Sequence, residues 1–240
     1  MKLVDRIIAK QSDIFGERQP VIAFLGDSVT QGCFEIYVKN EKMETKTRSR
    51  LAYHEKLREI LATLYPDVPI NIINAGISGD TAKNAKTRLQ RDCLSYAPDL
   101  VVVCFGLNDS MMEKDGLEDY KKSLGEIFDE IQKSGSDVIF MTPNMRTRSI
   151  DEPCDEEILA DDAETVLKNE DDHWLDTYIY AARAVCREYG VSVCDCNRIW
   201  KAMVRSGVNV NTILSNRINH PTEELHWIFA YELARMIFDI

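Results

Sequence analysis

The sequence predicts an α/β fold: three layers, α/β/α, built on a flavodoxin-like doubly wound sheet of about five parallel strands. Three observations carry that prediction. Short apolar runs are continuous rather than alternating, and stretches of helical period separate them. The chain, at 240 residues with 45% hydrophobic residues, is also long enough to bury one sizeable core.

Strands are expected at Val21 to Leu25, Pro69 to Ile73, Leu100 to Phe105, Val138 to Met141 and Val191 to Cys194. A run that is apolar at every position suits a strand covered by helices on both faces. Between the runs, Leu117, Tyr120, Leu124, Ile127, Phe128 and Ile131 recur at helical spacing, and Gly135 stands where a C-cap belongs. Helices are read likewise at about 46–64, 81–95, 171–189 and 221–238. Alternation of strand and helix implies right-handed crossovers between parallel strands, with chemistry gathered at their carboxyl ends.

Residues 1–240 read as a single domain, without an internal repeat or a Gly/Ser- or Pro-rich linker. One piece stands apart, an acidic insertion at about 147–172. From Asp151 to Asp172, eleven acidic residues face one basic residue, Lys168. It reads as a solvated insertion after the fourth strand, or as a flap beside the functional edge.

Net charge is −11, which argues against nucleic acid or an anionic membrane surface as partner, since both select a basic face. No run approaches the roughly 18 apolar residues of a membrane span. Asp5, Arg6 and Lys10 interrupt the N-terminus before a signal-like run can form. The seven cysteines are odd in number and contain no C-x-x-C pair, so neither a disulfide framework nor a zinc site is expected. A reducing cytoplasm is the expected location, with secretion left open as the alternative.

The sequence contains no G-x-x-x-x-G-K-[ST] phosphate loop, no G-x-G-x-x-G dinucleotide turn and no H-E-x-x-H metal pair. At the end of the first strand, "VIAFLGDSVTQG" presents Ser28. Thr30 occupies the place of the second glycine of a G-x-S-x-G elbow, so an ordinary α/β-hydrolase is not expected.

Four segments lie where strands end or a helix begins: "GDSVTQG" at 26–32, "NAGISGDT" at 74–81, "FGLNDS" at 105–110 and "NRINHP" at 216–221. In that order the chain resembles the GDSL, or SGNH, family of ester hydrolases from Val21 to Ile240. The resemblance implies Ser28 as nucleophile and His220 as base. It also implies an oxyanion hole formed by the N–H groups of Ser28 and Gly79 with the side-chain amide of Asn108. Such roles suit acyl transfer, which needs an activated hydroxyl, a proton acceptor and donors aimed at the developing oxyanion. Pro221 suits a first helical turn, and Glu223 and Glu224 complement its dipole. Asp27 and Asp109 are expected to support the site by hydrogen-bonding loop amides. His226 reads as a packing or capping partner, while His54 and His173 match none of the four segments.

The resemblance breaks at one place. The family places an Asp three or four residues before its histidine, where this chain has Asn216 and Arg217, and residues 197–219 contain no Asp or Glu. Three accounts follow: Asn216 orients the imidazole through its side-chain oxygen, a backbone carbonyl does so in a Ser-His dyad, or catalysis is impaired. The implied substrate is a small-molecule or carbohydrate ester of a short acyl group, with no metal or organic cofactor. An acyltransferase on the same site and a ligand-binding module remain as alternatives. Residues 33–50, with Phe34, Tyr37 and Met43, read either as a wall of the pocket or as a surface loop.

Overall fold

The computed structural model describes residues 1–40, 42–150 and 157–239. Its centre is a five-stranded parallel sheet of β1 (Val21–Gly26), β4 (Asn71–Gly76), β5 (Leu100–Cys104), β6 (Asp137–Met141) and β7 (Ser192–Cys194), in the order β4-β1-β5-β6-β7. That is the flavodoxin-like order, in which the chain first steps to one side of β1 and then to the other.

Alternate side chains of each strand enter different cores. Ile22, Phe24, Leu100, Val102, Ile139 and Met141 join one core. It is completed by α1 (Lys2–Ser12), α3 (Tyr53–Leu64), α8 (Cys196–Arg205) and α9 (His226–Phe238), through Leu3, Ile7, Leu57, Leu61, Trp200, Phe229 and Leu233. Ala23, Leu25, Val101, Val103, Val138 and Phe140 join the other core. Against them lie α4 (Ala82–Asp92), α5 (Glu113–Lys133) and α7 (Trp174–Tyr189), through Leu89, Leu124, Phe128, Tyr178 and Val185. The inner strands β1, β5 and β6 are therefore covered on both faces, which is why they carry no polar alternation, while the edge strands β4 and β7 are partly exposed.

The five strand expectations hold to within three residues at each end, and the helices differ instructively. The stretch 46–64 is helical only from Tyr53: Lys42–Thr47 is a strand, β3, paired antiparallel with β2 (Cys33–Lys39), and a short 3-10 turn follows at Ser49–Leu51. Threonines at 45 and 47 and β-branched residues at 36 and 38 favour the pleated pairing. The stretch 33–50 is thus largely a hairpin rather than a loop. Helix 171–189 begins at Trp174, because His173 takes a left-handed conformation between two helices. Helix 221–238 begins at His226 after a 3-10 turn at Glu223–Leu225. Helices α1 and α8 had no counterpart in the sequence reading. Of the acidic insertion, the second part forms α6 (Glu157–Asp171), while residues 151–156 lie outside the described residues. Among the described residues no helix is long and apolar enough to cross a membrane.

Candidate active site

The strand tips set the site. Gly26 at the end of β1 stands level with Gly76 of β4 and Cys104 of β5, so the loops that follow all three strands open side by side. Gly76 is required there: a Cβ would collide with the backbone of Thr30 and Gln31 in α2 (Ser28–Gln31).

Ser28 is the first residue of α2, and the N-cap is Asp27, whose Oδ1 accepts the Val29 N–H at 3.0 Å. The Ser28 N–H therefore belongs to the first turn of a helix, where amides lack intrahelical partners. From the other end of the chain, His220 Nε2 lies 2.9 Å from Ser28 Oγ. Both residues are buried, Ser28 at 5% exposure and His220 at 3%. Burial drives the imidazole pKa down to about 4, against the smaller opposing effect of its hydrogen bond to Phe34.

His220 Nδ1 lies 3.2 Å from the main-chain oxygen of Phe34, in β2. Asn216 is not against the ring. Its Oδ1 accepts the N–H groups of Ile218, Asn219 and His220 at 3.1, 2.9 and 2.8 Å, and its Nδ2 donates to Asn219 Oδ1 at 2.8 Å. An asparagine at the head of a tight turn satisfies its own loop amides first, and Arg217, at φ +57°, supplies the left-handed step that brings those amides round. Of the three accounts of the missing Asp, this geometry favours the carbonyl: the Phe34 oxygen is the group on the ring, and Asn216 shapes the loop. Ser215 Oγ donates to the same Phe34 oxygen at 2.5 Å, tying that loop to the hairpin.

The oxyanion candidates come together through their neighbours. Asn108 Nδ2 donates to the Asp80 carbonyl at 2.9 Å, leaving the second amide hydrogen for another acceptor. Asp109 Oδ1 accepts the Ala82 N–H at 2.9 Å. Gly79, the residue before Asp80, has φ +75°, a conformation that favours glycine. The Ser78 N–H is taken by Gln31 Oε1 at 2.7 Å. Beneath this turn runs Arg88, a buried residue that sequence reading passed over. It binds Asp80 Oδ2 through Nε and Nη2 at 2.9 and 2.5 Å, the Ala75 carbonyl at 2.7 Å and the Gly26 carbonyl at 3.2 Å. One guanidinium thus joins the tips of β1 and β4 to the Gly79 turn. A basic residue one place before Leu89, on the apolar side of α4, was its signal in the sequence.

Asp27 and Asp109 both have carboxyl pKa values raised to about 7, chiefly by burial. The Oδ2 atom of each is buried without a hydrogen-bond partner. His226 Nδ1 accepts the Tyr53 N–H at 3.0 Å and so caps α3; burial drives its pKa to about 3. His173 is exposed, and His54 is buried in the first turn of α3, beside Phe24. Of the residues 33–50, Phe34 packs at a tilt of 45° against His226 with centroids 5.0 Å apart and Tyr37 is exposed; the side chain of Met43 is not among those described. Among the described residues no cluster of three or more metal-ligating side chains occurs.

A serine hydroxyl paired with an imidazole at the switch point of a doubly wound parallel sheet is an architecture for acyl transfer. The chain belongs to the GDSL-like lipase/acylhydrolase family, whose pattern it matches over residues 24–228. It is 28% identical to an acetylxylan esterase of Geobacillus stearothermophilus over 132 residues, 51% of this chain and 58% of that protein. It is 32% identical to an uncharacterised lipoprotein of Bacillus subtilis over 78 residues, 30% of this chain and 32% of that one. The chain thus matches less than two thirds of the length of either relative. Its fold is shared with the crystal structure of an acetylxylan esterase from G. stearothermophilus (TM-score 0.66, 21% identity, 91% and 94% of the two chains covered). It is shared equally with a lipase/acylhydrolase from Enterococcus faecalis (TM-score 0.68, 20% identity, 91% and 95% covered).

Proposed function

We propose that the protein is a serine ester hydrolase acting on short acyl esters, acetyl esters of carbohydrates foremost. One observation carries the reading: the 2.9 Å contact between Ser28 Oγ and His220 Nε2, groups 192 positions apart in the chain. The acetylxylan esterase among its relatives supports the choice of substrate.

The Phe34 carbonyl can only accept, so His220 carries its proton on Nδ1 and keeps the Nε2 lone pair for the serine. As Ser28 Oγ attacks the acyl carbon, His220 takes the hydroxyl proton. Negative charge on the former carbonyl oxygen is met by the N–H groups of Ser28 and Gly79 and by the free amide hydrogen of Asn108. The protonated imidazole then gives its proton to the departing alcohol. Water, deprotonated by the same imidazole, cleaves the acyl-serine. The contact between His220 Nδ1 and the Phe34 oxygen supports the second of the three accounts, a Ser-His dyad oriented by a backbone carbonyl. It costs charge: among the described residues no carboxylate is bonded to the ring, so the dyad turns over more slowly than a full triad would.

The test is Ser28→Ala assayed on p-nitrophenyl acetate and on acetylated xylo-oligosaccharides. The expected result is a loss of at least about 10³-fold with the fold unchanged, since removing such a nucleophile disables the whole unit. Parent-like turnover by the variant overturns the reading. Stoichiometric labelling of Ser28 by a fluorophosphonate separates an enzyme from a binding module. Ester products formed with added acceptor alcohols would identify a transferase.

A further inference from the structure

We propose that Arg146 is a positioning residue for Asn108, acting through a buried latch that makes α6 a working part of the ester site. The inference rests on the function just proposed and adds the device that holds one of its oxyanion donors.

Arg146 follows β6 and is 1% exposed. Its guanidinium reaches in two directions. Toward α6, Nε donates to Glu170 Oε1 at 2.8 Å and Nη2 to Asn169 Oδ1 at 2.5 Å. Toward the loop after β5, Nη1 donates to the Leu107 carbonyl at 3.3 Å and lies 2.9 Å from Met111 Sδ. Asn169 closes the circuit by donating from Nδ2 to the Ser110 carbonyl at 2.9 Å. The Leu107 oxygen belongs to the peptide bond that enters Asn108. The latch therefore grips the chain immediately before that residue and again two residues after it.

A second set of contacts points the same way. Ala163 and Val166 of α6 pack in one small apolar cluster with Ile36, Ile218 and Met111. Those three residues lie two, two and three positions from Phe34, His220 and Asn108. One helix thus touches three segments of the site, those of Phe34, Asn108 and His220, and Arg146 is the charged bolt that seats it. A buried guanidinium is tolerated only when paired and fully hydrogen-bonded, and here Glu170 supplies the pairing while side-chain and main-chain oxygens fill the remaining fork.

The experiment is a double-mutant cycle with Arg146→Met and Asn108→Ala on p-nitrophenyl acetate. If Arg146 acts through Asn108, Arg146→Met lowers kcat by about 10- to 10²-fold with little change in KM, and loses most of that effect in the Asn108→Ala background. An equal fold-loss in both backgrounds marks a merely structural residue and overturns the proposal. Arg146→Lys, which keeps the charge without the planar fork, should recover only part of the loss. Asn169→Ala carries the same cycle if Arg146→Met does not fold. Hydrogen exchange of residues 105–112 gives a readout independent of activity: it should accelerate in Arg146→Met or Asn169→Ala, and unchanged exchange overturns the latch. Failure of the ester-hydrolase reading shows separately, as parent-like turnover by Ser28→Ala.

Discussion

An imidazole held by a main-chain oxygen behaves differently from one held by a carboxylate. With burial lowering the His220 pKa to about 4, the ring is neutral above that pH and protonated below it, and only the neutral ring can accept the Ser28 proton. The acid limb of kcat/KM should therefore fall near pH 4, rather than between 6 and 7, and a limb above pH 6 would contradict the geometry. Asn216→Asp tests the same arrangement from the other side. Its oxygen would still accept three loop amides, so the limb should stay where it is and kcat should change less than about threefold. A limb raised by a full unit would mean that the new carboxylate reaches the ring. The four segments that carry Ser28, Gly79, Asn108 and His220 could be picked out in the sequence, and the family resemblance, not spacing alone, implied the roles of those residues; the structure brings Ser28 and His220 into contact. The Phe34 oxygen was not legible there, since every residue has a carbonyl and only the pairing of distant segments decides which one is used.

At the scale of elements, the close seating of α2 against β4 makes two glycines unequal. A methyl at Gly76 meets backbone atoms that cannot turn aside, whereas a methyl at Gly79 meets nothing within 4 Å and costs only the strain of its positive φ. Gly76→Ala should lower unfolding stability by about 1–3 kcal/mol, as overpacking does, and Gly79→Ala by about 1–2 kcal/mol. Urea midpoints with the reverse ranking would show that β4 and α2 are less tightly seated than described. Elements with continuous apolar runs were read from sequence to within three residues. The hairpin of β2 and β3 was missed because charged residues at 35, 39, 42, 44 and 46 masked its pleat, and α6 was read only as an acidic stretch. Its small apolar stripe at 163 and 166 gains meaning only beside Ile36 and Ile218, which sequence distance hides.

For the molecule as a whole, four buried groups set opposing responses to pH. Asp27 and Asp109 titrate near 7 when folded, so they keep protons that the unfolded chain has released by about pH 4; their contribution is complete below that pH and fades as pH rises through 7. His220 and His226 do the reverse: held neutral when folded but protonated below 6.5 when unfolded, they contribute above that pH and lose the contribution as acidity increases. Between about pH 4.5 and 6.5 the two pairs cancel. Asp109→Asn removes one member of the acid pair, so its stability relative to the parent should climb with pH across that window, by up to about 1.4 kcal/mol per unit. Parallel curves for variant and parent in urea titrations would show that Asp109 is ionised throughout.

The hydrogen bond from His220 to β2 has an evolutionary corollary. A carboxylate partner can be deleted by one nucleotide change, whereas the Phe34 oxygen survives every amino-acid replacement that leaves the hairpin in register. A saturation scan at position 34 should therefore spare turnover wherever a bulky apolar side chain still covers His226. Deleting a single residue between 35 and 39 should silence turnover, because the carbonyl, and not the side chain, would then be displaced.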